Sequence, residues 1–427
     1  MKIAQLVLLI LAVIFGLIYF YQIIFIMIGT FAKKKKYPEA KENHTFAILI
    51  CGRNEEKVIG NLIDSIHAND YPQEKVKIFV CADNCNATDN TANIAREKGC
   101  IVYERQNKNQ IGKGYALNLM FNNIHKDFPD YEPDAIMIFD ADNILTKNYI
   151  KEMNKALDSG VKICTSYRNS KNFGTNWISA GASLSFIRDC QFFHKPKSIM
   201  GVSTHVSGTG FYFSKDVMTF KDGWSYTMIT EDTEFSIAST LKGAKIGYCE
   251  DAEFFDEQPT KFKQAWKQRL RWGKGNLLGF SVFHLSLFGS FLKTFDFTYY
   301  EYYFSRVFPV AIYYSFSFVA SNIINVLARI FEVINGHAIA SIIYFLSPVL
   351  VTFLATYLGL FVDSALACIV NWKKIKATKG QKIMSMFALP LFNMFIAMPT
   401  CIVAMFKKVK WEPIEHNQCV TQEDLEK

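Results

Sequence analysis

The amino-acid sequence predicts an α/β domain with a mostly parallel sheet, flanked by membrane-spanning helices. Between residues 46 and 140, short apolar segments of strand length alternate with helical segments. This alternation is typical of a parallel sheet covered by helices on both faces. Long uncharged segments lie before and after the domain, and half of the 427 residues are hydrophobic. Segments of this length are expected to cross a membrane.

The first half of the domain alternates most clearly. In chain order, the predicted strands and helices are Phe46–Cys51, Glu55–Ala68, Val76–Cys81, Thr88–Lys98, Cys100–Tyr103, Gly112–Ile124 and Ala135–Phe139. Ligands of such sheets bind beyond the carboxyl ends of the strands. The polar residues that follow the predicted strands are Arg53, Asp83, Asp140 and Asp142. The sequence therefore predicts a ligand site at this edge of the sheet.

The second half of the domain is less regular. Its predicted elements are a helix over Trp177–Phe193, a turn and strand over Gly208–Phe213, a helix over Glu231–Leu241 and a strand over Lys245–Cys249. The next segment, Lys261–Leu278, interleaves basic with aromatic residues, which is typical of a helix at a membrane surface. Leu277–Leu292 either extends this interfacial layer or forms a weak span.

The N-terminal segment Ile3–Ala32 has 30 residues without a charge. A span needs about 20 apolar residues, whereas the apolar core of a signal peptide has about 7–15. We therefore predict an uncleaved span. Four lysines, Lys33–Lys36, follow it. Because basic clusters stay on the cytoplasmic side, the N-terminus is expected outside the plasma membrane and the domain that follows is expected in the cytoplasm.

Three more uncharged runs follow the domain, at Val307–Leu327, Ala338–Val362 and Ile383–Phe406. The link between the first two is short and weakly charged, as an outside loop should be, and contains Arg329, Glu332 and His337. Lysines between residues 373 and 382 mark a return to the cytoplasm. Asp363, the one acid near the run Ala338–Val362, is either a functional buried carboxylate or an interfacial residue.

The last run has lysines at both ends and contains Pro390 and Pro399. A straight span would place one of the two basic clusters outside, whereas a kinked or re-entrant hairpin would keep both inside. Because the charge of short flanking loops usually decides topology, the hairpin is favoured.

Composition excludes some classes of partner. The net charge of +8 arises largely from lysines next to the apolar segments, so it indicates membrane lipids and no nucleic acid. The ten cysteines lie mostly in the part expected in the cytoplasm, where disulfides are rare. Cys81 and Cys85 have no second pair or histidine nearby in the sequence, so they are interpreted as ordinary small residues and not as zinc ligands.

These observations divide the chain into five predicted regions. They are an N-terminal span with its basic stop (1–36), a cytoplasmic domain (37–260), amphipathic interface helices (261–300), a C-terminal transmembrane region (301–410) and a cytoplasmic tail (411–427).

Asp140-Ala141-Asp142 follows a predicted buried strand. Two carboxylates on a strand-end turn can share one hard cation, and Mg²⁺ or Mn²⁺ bound there would also contact diphosphate oxygens. Taken in isolation the pattern is more often a solvated turn than a metal site.

Thr230-Glu231-Asp232 opens a predicted helix, where a capping residue and first-turn acids are common for structural reasons. The functional alternative makes Asp232 a general base that takes a proton from an acceptor hydroxyl.

Gln268-Arg269-Leu270-Arg271-Trp272 also allows two interpretations. An interfacial helix explains the two arginines. A functional site explains Arg271 as a diphosphate ligand and Trp272 as a platform for a sugar. Gly112-Lys113-Gly114 is a glycine-lysine turn entering a helix, which resembles a phosphate-contact loop without being the P-loop pattern.

Five motifs occur together and in order. They are Ile50-Cys51-Gly52-Arg53-Asn54-Glu55-Glu56, Ala82-Asp83-Asn84, Asp140-Ala141-Asp142, Thr230-Glu231-Asp232 and Gln268-Arg269-Leu270-Arg271-Trp272. The set resembles the membrane-bound family-2 inverting glycosyltransferases, such as cellulose, chitin and hyaluronan synthases and the Nod-factor chitooligosaccharide synthases. The resemblance covers roughly residues 45–275. It implies a GT-A-type nucleotide-sugar-binding domain with a Rossmann-like, mostly parallel sheet.

The resemblance also implies roles for single residues. The residues expected to bind the nucleotide sugar are Arg53, Asn54, Glu55, Asp83, Lys113, Asp140, Gln268 and Arg271, with Asp83 at the base of a uridine nucleotide. Asp142 would bind the metal, Mg²⁺ or Mn²⁺, and Asp232 would be the catalytic base. Thr209, within Gly208-Thr209-Gly210, and Trp272 would border the acceptor.

The implied function is transfer of a sugar from a UDP-sugar to a growing polysaccharide, processively and with export. The alternatives are a single transfer to a lipid-linked acceptor and, outside enzymes, a catalytically silent membrane scaffold. A pure transporter is disfavoured because the spans are few and the domain is large. The chain departs from the family at Asn84, in having one N-terminal span and in lacking a clear gating-loop motif, although Trp411-Glu412-Pro413 follows the last apolar run.

Overall fold

The computed structural model describes residues 2–308, 310–336 and 342–426. The predicted loop residue His337 and the beginning of the run Ala338–Val362 lie outside the described residues. The chain begins with helices α1 (Lys2–Tyr19) and α2 (Tyr21–Phe31), which are bent by 41° at their junction. The predicted N-terminal apolar segment is therefore helical throughout its described length, with one break.

The domain that follows contains one eight-stranded sheet. Its strands are β1 (Phe46–Gly52), β2 (Val76–Asp83), β3 (Ile101–Arg105), β4 (Ala135–Asp140), β5 (Ile144–Leu145), β6 (Ile163–Ser170), β7 (Phe211–Ser214) and β8 (Ile246–Asp256). The spatial order is β3-β2-β1-β4-β7-β6-β8-β5. β1 pairs in parallel with β2 and β4, and β2 with β3, whereas β7 and β5 are antiparallel to their neighbours. The sheet is therefore mostly parallel, as predicted.

Helices cover both faces of the sheet. Those within the domain are α3 (Ile59–His67), α4 (Thr91–Glu97), α5 (Lys113–Asp127), α6 (Tyr149–Asp158), α7 (Trp177–Asp189), α8 (Lys195–Met200) and α9 (Glu231–Leu241). Alternate residues of β1 point to opposite faces: Phe46 and Ile48 pack in the core under α3 and α6, whereas Ala47 and Leu49 pack in the core under α5. This two-sided burial explains why β1 is a continuous apolar run.

Long apolar helices follow the domain. They are α10 (Phe262–Thr294), α11 (Phe297–Tyr302), α12 (Val310–Ile334), α13 (Ile342–Val370), α14 (Lys379–Phe392) and α15 (Met398–Phe406), and a short α16 (Gln422–Glu426) ends the described chain. Among the described residues, four helices are long and apolar enough to cross a membrane, or five if the bent N-terminal pair forms one span. The predicted interfacial segment Lys261–Leu278 is the first part of α10, which continues unbroken through Leu277–Leu292.

The hairpin predicted for Ile383–Phe406 is wrong. α14 and α15 are joined through a π-helical turn over Asn393–Ala397 into one helix, Lys379–Phe406. The π turn follows Pro390, where the missing backbone N–H already interrupts the regular hydrogen-bond ladder. A wider turn at this point absorbs the interruption without reversing the chain.

This last helix lies against the domain along its whole length. Near its start, Gln381 donates to the Gly174 carbonyl at 3.0 Å. Phe392 packs with Ile178 of α7, and near the end Lys274 of α10 donates to the Ala404 carbonyl at 3.1 Å. The helix therefore packs on α7 through its first half and on α10 near its end.

The contact between α7 and α14 gives the first prediction. A Cβ atom on Gly181 would lie 2.8 Å from the Phe392 Cβ and 3.1 Å from the Ala388 carbonyl oxygen. Gly181→Val should therefore force the helices apart and destabilise the protein by about 1–3 kcal/mol, measured by thermal unfolding in detergent. Gly359→Val on α13 is the matched control, because no heavy atom lies within 4 Å of its Cβ position. Equal unfolding temperatures for the two variants would contradict this packing.

Candidate active site

The predicted site residues meet beyond the carboxyl ends of β1, β2 and β4. Arg53 follows β1, Asp83 ends β2 and Asp140 ends β4. In the register of the sheet Cys51 pairs with both Cys81 and Asp140, which brings these strand ends side by side. The parallel arrangement thus places one polar residue from each strand at the same edge, as the sequence predicted.

Lys113, at the start of α5, connects two groups of acids. Its Nζ atom forms an ion pair with Asp140 and donates to the Gly208 carbonyl at 2.8 Å. Gly208 in turn lies against Asp232, because a Cβ placed on it would be 3.5 Å from Asp232 Oδ2. Although burial opposes the charge, Asp140 raises the pKa of Lys113. A permanent cation therefore separates Asp140 from Asp232 within one cleft.

Asp232 opens α9 together with Glu231. Burial raises the pKa of Asp232, and burial together with Asp232 raises the pKa of Glu231 to about 7. The charges of Lys113 and Arg271 act in the opposite direction on both groups. A carboxyl group with a raised pKa in a cleft suits proton transfer.

Asp142 is 5% exposed. Its Oδ2 accepts the Glu257 backbone N–H at 2.8 Å and its Oδ1 accepts the Asn143 amide at 3.3 Å. Burial favours the neutral acid, but His416 and Lys171 outweigh it and lower the pKa of Asp142. Asp142 is thus an ionised carboxylate in a nearly closed position.

Behind Asp142 lies a second buried ion pair. Arg168 on β6 donates through Nε to Asp256 at 2.6 Å, through Nη1 to the Ser207 carbonyl at 3.1 Å, and stacks 3.7 Å above the Phe186 ring. Asp256 is 2% exposed, and its Oδ1 has no hydrogen-bond partner among the described residues. Sequence analysis did not identify this pair, because neither residue stands in a recognisable motif.

The C-terminal tail closes the site from above. His416 donates through Nδ1 to both carboxylate oxygens of Glu55 at 3.0 Å. Burial disfavours its charge, yet Asp142 and Glu55 together raise the pKa of His416 to about 10. Sequence analysis missed His416, because nothing in the sequence of a polar tail shows which part of the domain it covers.

The tail also covers two predicted nucleotide ligands. The Trp411 ring lies between the guanidinium groups of Arg53 and Arg271, at 5.5 and 6.0 Å from its centre. The Nε atoms of both arginines are buried and lack a hydrogen-bond partner among the described residues, as does Gln268 Oε1. Buried polar atoms without a hydrogen-bond partner destabilise a folded protein unless a ligand forms hydrogen bonds with them.

Asn54 and Asp83 border the nucleotide end of the cleft. Asn54 has a positive φ of 59° and accepts the Asn86 backbone N–H at 2.8 Å. Asp83 Oδ1 accepts from Arg105 Nη1 at 2.7 Å and from the Asn84 amide at 3.0 Å. Among the described residues no donor reaches Asp83 Oδ2. One carboxylate oxygen of Asp83 is thus occupied and the other is available.

Thr209 and Trp272 are the two residues predicted to contact an acceptor. Thr209 is 2% exposed, and its hydroxyl accepts the Asp140 backbone N–H at 2.9 Å and donates to Asn143. Trp272 packs edge-on against Phe186 with ring centres 5.9 Å apart. Both are placed beside the cleft by protein contacts, and their acceptor contacts stay predictions.

The first part of α10 is held close to the start of α9. A Cβ atom on Gly275 would lie 2.3 Å from the Thr230 side chain, so the helices touch at backbone distance. Arg271, on the same part of α10, is close enough for its charge to act on both Glu231 and Asp232. Asp363, for which two roles were predicted, forms an ion pair with Arg188 of α7, which ties α13 to the domain.

Carboxylate oxygens such as those of Asp142 and Asp256 are the ligand type that Mg²⁺ and Mn²⁺ prefer. Asp256 Oδ1 has no hydrogen-bond partner among the described residues, so it is a free carboxylate oxygen near Asp142. The one group of three described residues whose ligand atoms lie within 4.8 Å of one another is Glu42, His44 and Asp158, at the entrance to β1 and away from the cleft.

Comparison with known proteins decides the family. The family described as "Glycosyltransferase like family 2" matches residues 43–275, more than half of the chain. The chain belongs to this family. The matched residues include every site residue described above except Trp411 and His416 of the tail.

Individual relatives of this family-2 glycosyltransferase are distant. The β-monoglucosyldiacylglycerol synthase of Synechocystis is 24% identical over 53% of this chain and 47% of its own length. The poly-β-1,6-N-acetyl-D-glucosamine synthase of Staphylococcus aureus (strain COL) is 25% identical over 57% of each chain. The matched part thus spans about half the length of these curated relatives. Among solved structures, the mannosyltransferase PcManGT from Pyrobaculum calidifontis has 13% identity and a TM-score of 0.49, covering 92% of this chain and 96% of that one.

The buried pair Arg168–Asp256 gives the second prediction. Arg168→Met keeps the apolar contact with Phe186 but leaves Asp256 buried without its cation beside Asp142, so we expect a loss of about 3–5 kcal/mol of stability. The double variant Arg168→Met/Asp256→Asn should recover part of this loss, because the neutral amide needs no counter-charge. Thermal unfolding of the full-length protein measures both. If the double variant is no more stable than Arg168→Met, the loss of stability does not come from an uncompensated charge on Asp256.

Proposed function

We propose that this family-2 glycosyltransferase is an inverting enzyme embedded in a membrane, with its domain in the cytoplasm, which transfers a sugar from a UDP-sugar. The observation that carries the proposal is the convergence of Asp140, Asp142 and Asp232 in one cleft beneath Arg271. The regions 1–36, 37–260, 261–300, 301–410 and 411–427 serve as its anchor, catalytic domain, interface layer, spans and tail.

In the proposed reaction the acceptor hydroxyl attacks the anomeric carbon of the donor from the side of Asp232. Asp232 takes the hydroxyl proton, the bond from the anomeric carbon to the β-phosphate oxygen breaks, and UDP leaves. Arg271 and Lys113 supply positive charge where the diphosphate becomes more negative. Attack opposite to the leaving group inverts the configuration.

Asp142, with Asp140 nearby, would hold Mg²⁺ or Mn²⁺. Such an ion supplies positive charge to the leaving diphosphate. Arg53, Asn54, Glu55 and Asp83 line the part of the cleft in which the nucleotide is proposed to bind, and Gln268 and Arg271 line the part proposed for the diphosphate.

Two acceptor classes are proposed. A growing polysaccharide, extended processively and exported, is the acceptor expected from the Gln268–Trp272 motif, and one curated relative carries the name of such a synthase. A membrane lipid is the second, and another relative is named as a glycolipid synthase. Sizing of the product separates them, since a polymer gives a ladder or a long chain and a single transfer adds one sugar.

Replacing the proposed base tests the function. Asp232→Asn should reduce transfer by at least about a hundredfold, because general-base catalysis contributes about 10²–10⁴-fold, while binding of UDP with Mn²⁺ stays within about twofold. The measurement is release of UDP and radiolabelled product from a panel of UDP-sugars. Glu234→Gln, two residues further along α9 and bonded to the Met228 N–H, is the control. Undiminished turnover by Asp232→Asn would refute the role.

The half-occupied carboxylate of Asp83 predicts preference for uracil. Uracil offers a single N–H between two carbonyls, which one free oxygen can accept, whereas guanine offers two adjacent N–H donors that need both oxygens. We expect UDP to bind at least about tenfold more tightly than GDP, the equivalent of one good hydrogen bond. Arg105→Lys should reduce this ratio because it loses the fixed fork of donors.

Isothermal titration with UDP and GDP in the presence of Mn²⁺ measures the ratio. Arg96→Lys is the control, since Arg96 is half-exposed and pairs with Glu104 outside the cleft. Equal affinity of the unmodified protein for UDP and GDP would show that Asp83 does not select the base.

A further inference from the structure

A cavity of about 440 Å³ lies between the first turns of α10 and the tail that follows α15. One wall comes from residues 257–271 and the other from residues 407–418. The tail is fastened over it: Gln264 donates to the Glu415 carbonyl at 3.1 Å and Lys267 forms an ion pair with Glu412. The cavity therefore lies between two walls that come from distant parts of the chain and are joined by these contacts.

The cavity is strongly basic. Its lining contains seven lysines and arginines against three glutamates. Glu412 is paired with Lys267, and Glu257 is bound to the backbone N–H groups of Asn417 and Gln418. The lysines of the lining for which the structure records no ion pair with a described acid are Lys261, Lys263, Lys407, Lys408 and Lys410. Such an excess of positive charge fits an anion.

The rim of the cavity has exposed apolar side chains directly beside its lysines. Phe262, between Lys261 and Lys263, is 47% exposed, and Phe406, directly before Lys407, is 79% exposed. α10 continues from the cavity into a helix apolar enough to span a membrane. Lysines beside exposed aromatic residues are typical of the level at which lipid headgroups lie. The mouth of the cavity therefore faces headgroups and not only bulk water.

The inner end of the cavity reaches the proposed reaction centre. Gln268 and Arg271 line it, and their buried Oε1 and Nε atoms have no hydrogen-bond partner among the described residues. Arg271 is also close enough to Asp232 for its charge to act on that carboxyl group, and α10 touches the start of α9 where Gly275 meets Thr230. An anion that entered from the membrane would thus bring its neighbouring groups to the proposed base.

We propose that this cavity binds the headgroup of a membrane lipid that carries both a phosphate and a free hydroxyl, and that this lipid is the acceptor. The proposal rests on the proposed glycosyl transfer. The lipid phosphate lies among the lysines, and its hydroxyl points to the inner end. The hydroxyl oxygen forms the new bond to the anomeric carbon, the hydroxyl proton passes to Asp232, and UDP departs with the electron pair of the broken bond.

Binding is tested with the full-length protein in nanodiscs and defined lipids. Phosphatidylglycerol has the phosphate and hydroxyls, diacylglycerol has a hydroxyl without phosphate, and phosphatidylcholine has a phosphate balanced by a cation. We expect phosphatidylglycerol to bind at least about tenfold more tightly than either, because each lysine near a surface contributes measurably to anionic lipid binding.

Two matched triple variants identify the site. Lys407→Gln/Lys408→Gln/Lys410→Gln should weaken phosphatidylglycerol binding about tenfold or more, by loss of three such lysines. Lys33→Gln/Lys35→Gln/Lys36→Gln removes the same charge from three exposed lysines after α2 and should leave binding within about twofold. If the first variant fails to fold, Lys261→Gln/Lys263→Gln on the opposite wall replaces it. Equal losses in both sets would mean general attraction to an anionic surface and would overturn the proposal.

The donor is followed in the same samples. UDP with Mn²⁺ should bind the variants as it binds the unmodified protein, and pyrophosphate should not displace phosphatidylglycerol. Displacement, or parallel loss of UDP binding, would show that the cavity holds the donor diphosphate and would refute the lipid site. If the unmodified protein bound no UDP at all, that result would count against the proposed function. The lipid-binding measurement would still test the lipid site independently.

The product completes the test. With a panel of radiolabelled UDP-sugars, label should enter an organic-solvent-extractable product at least about tenfold faster with phosphatidylglycerol than with phosphatidylcholine alone, following the difference in binding. A water-soluble polymer formed at the same rate in both lipids would contradict the assignment of the acceptor.

Discussion

Crowding of buried carboxylates at the carboxyl edge of the sheet is the constraint on which the rest of this structure depends. Each such group is costly to bury unless a cation or several donors lie beside it. The cleft meets this requirement with three largely buried pairs: Arg168 with Asp256, Arg105 with Asp83, and His416 with Glu55. Lys113 pairs with Asp140, whose side chain is 40% exposed. The four cations come from the end of β3, the start of α5, β6 and the tail. The cleft is therefore formed only when the sheet, α5 and the tail are assembled together.

The tail can reach the cleft because of the course of the last apolar helix. The helix Lys379–Phe406 lies along α7 and α10, so Trp411 begins beside Arg271 and His416 reaches Glu55. The apolar helices and the cleft are thus structurally connected. A shift of the helix Lys379–Phe406 on α7 would move the charged side chain of His416, which lies next to Asp142.

Much of the fold and part of the site could be predicted from the sequence. β1, β2 and β4 are recognisable because burial on both faces makes them continuous apolar runs, and their ends place Arg53, Asp83 and Asp140 together without further information. β7 was predicted as a strand within Gly208–Phe213, but neither its antiparallel pairing nor β6 was predicted, since pairing between distant strands depends on tertiary contacts. Arg168 and His416 were missed for the same reason: each acts through a partner more than 80 residues away.

The helical geometry of α10 divides the Gln268–Trp272 motif between two tasks. Residues three apart lie on one face of a helix, so Gln268 and Arg271 both line the cavity side, whereas adjacent Trp272 turns toward Phe186 of α7. The face with Arg271 carries the charge needed at the cleft, and the face with Trp272 fixes the helix to the domain. Because α10 is one unbroken helix of 33 residues, the position of Arg271 relative to Asp232 is set by an element that is long and apolar enough to cross a membrane. A ligand that approaches along the membrane surface therefore meets a site whose geometry does not depend on a flexible linker.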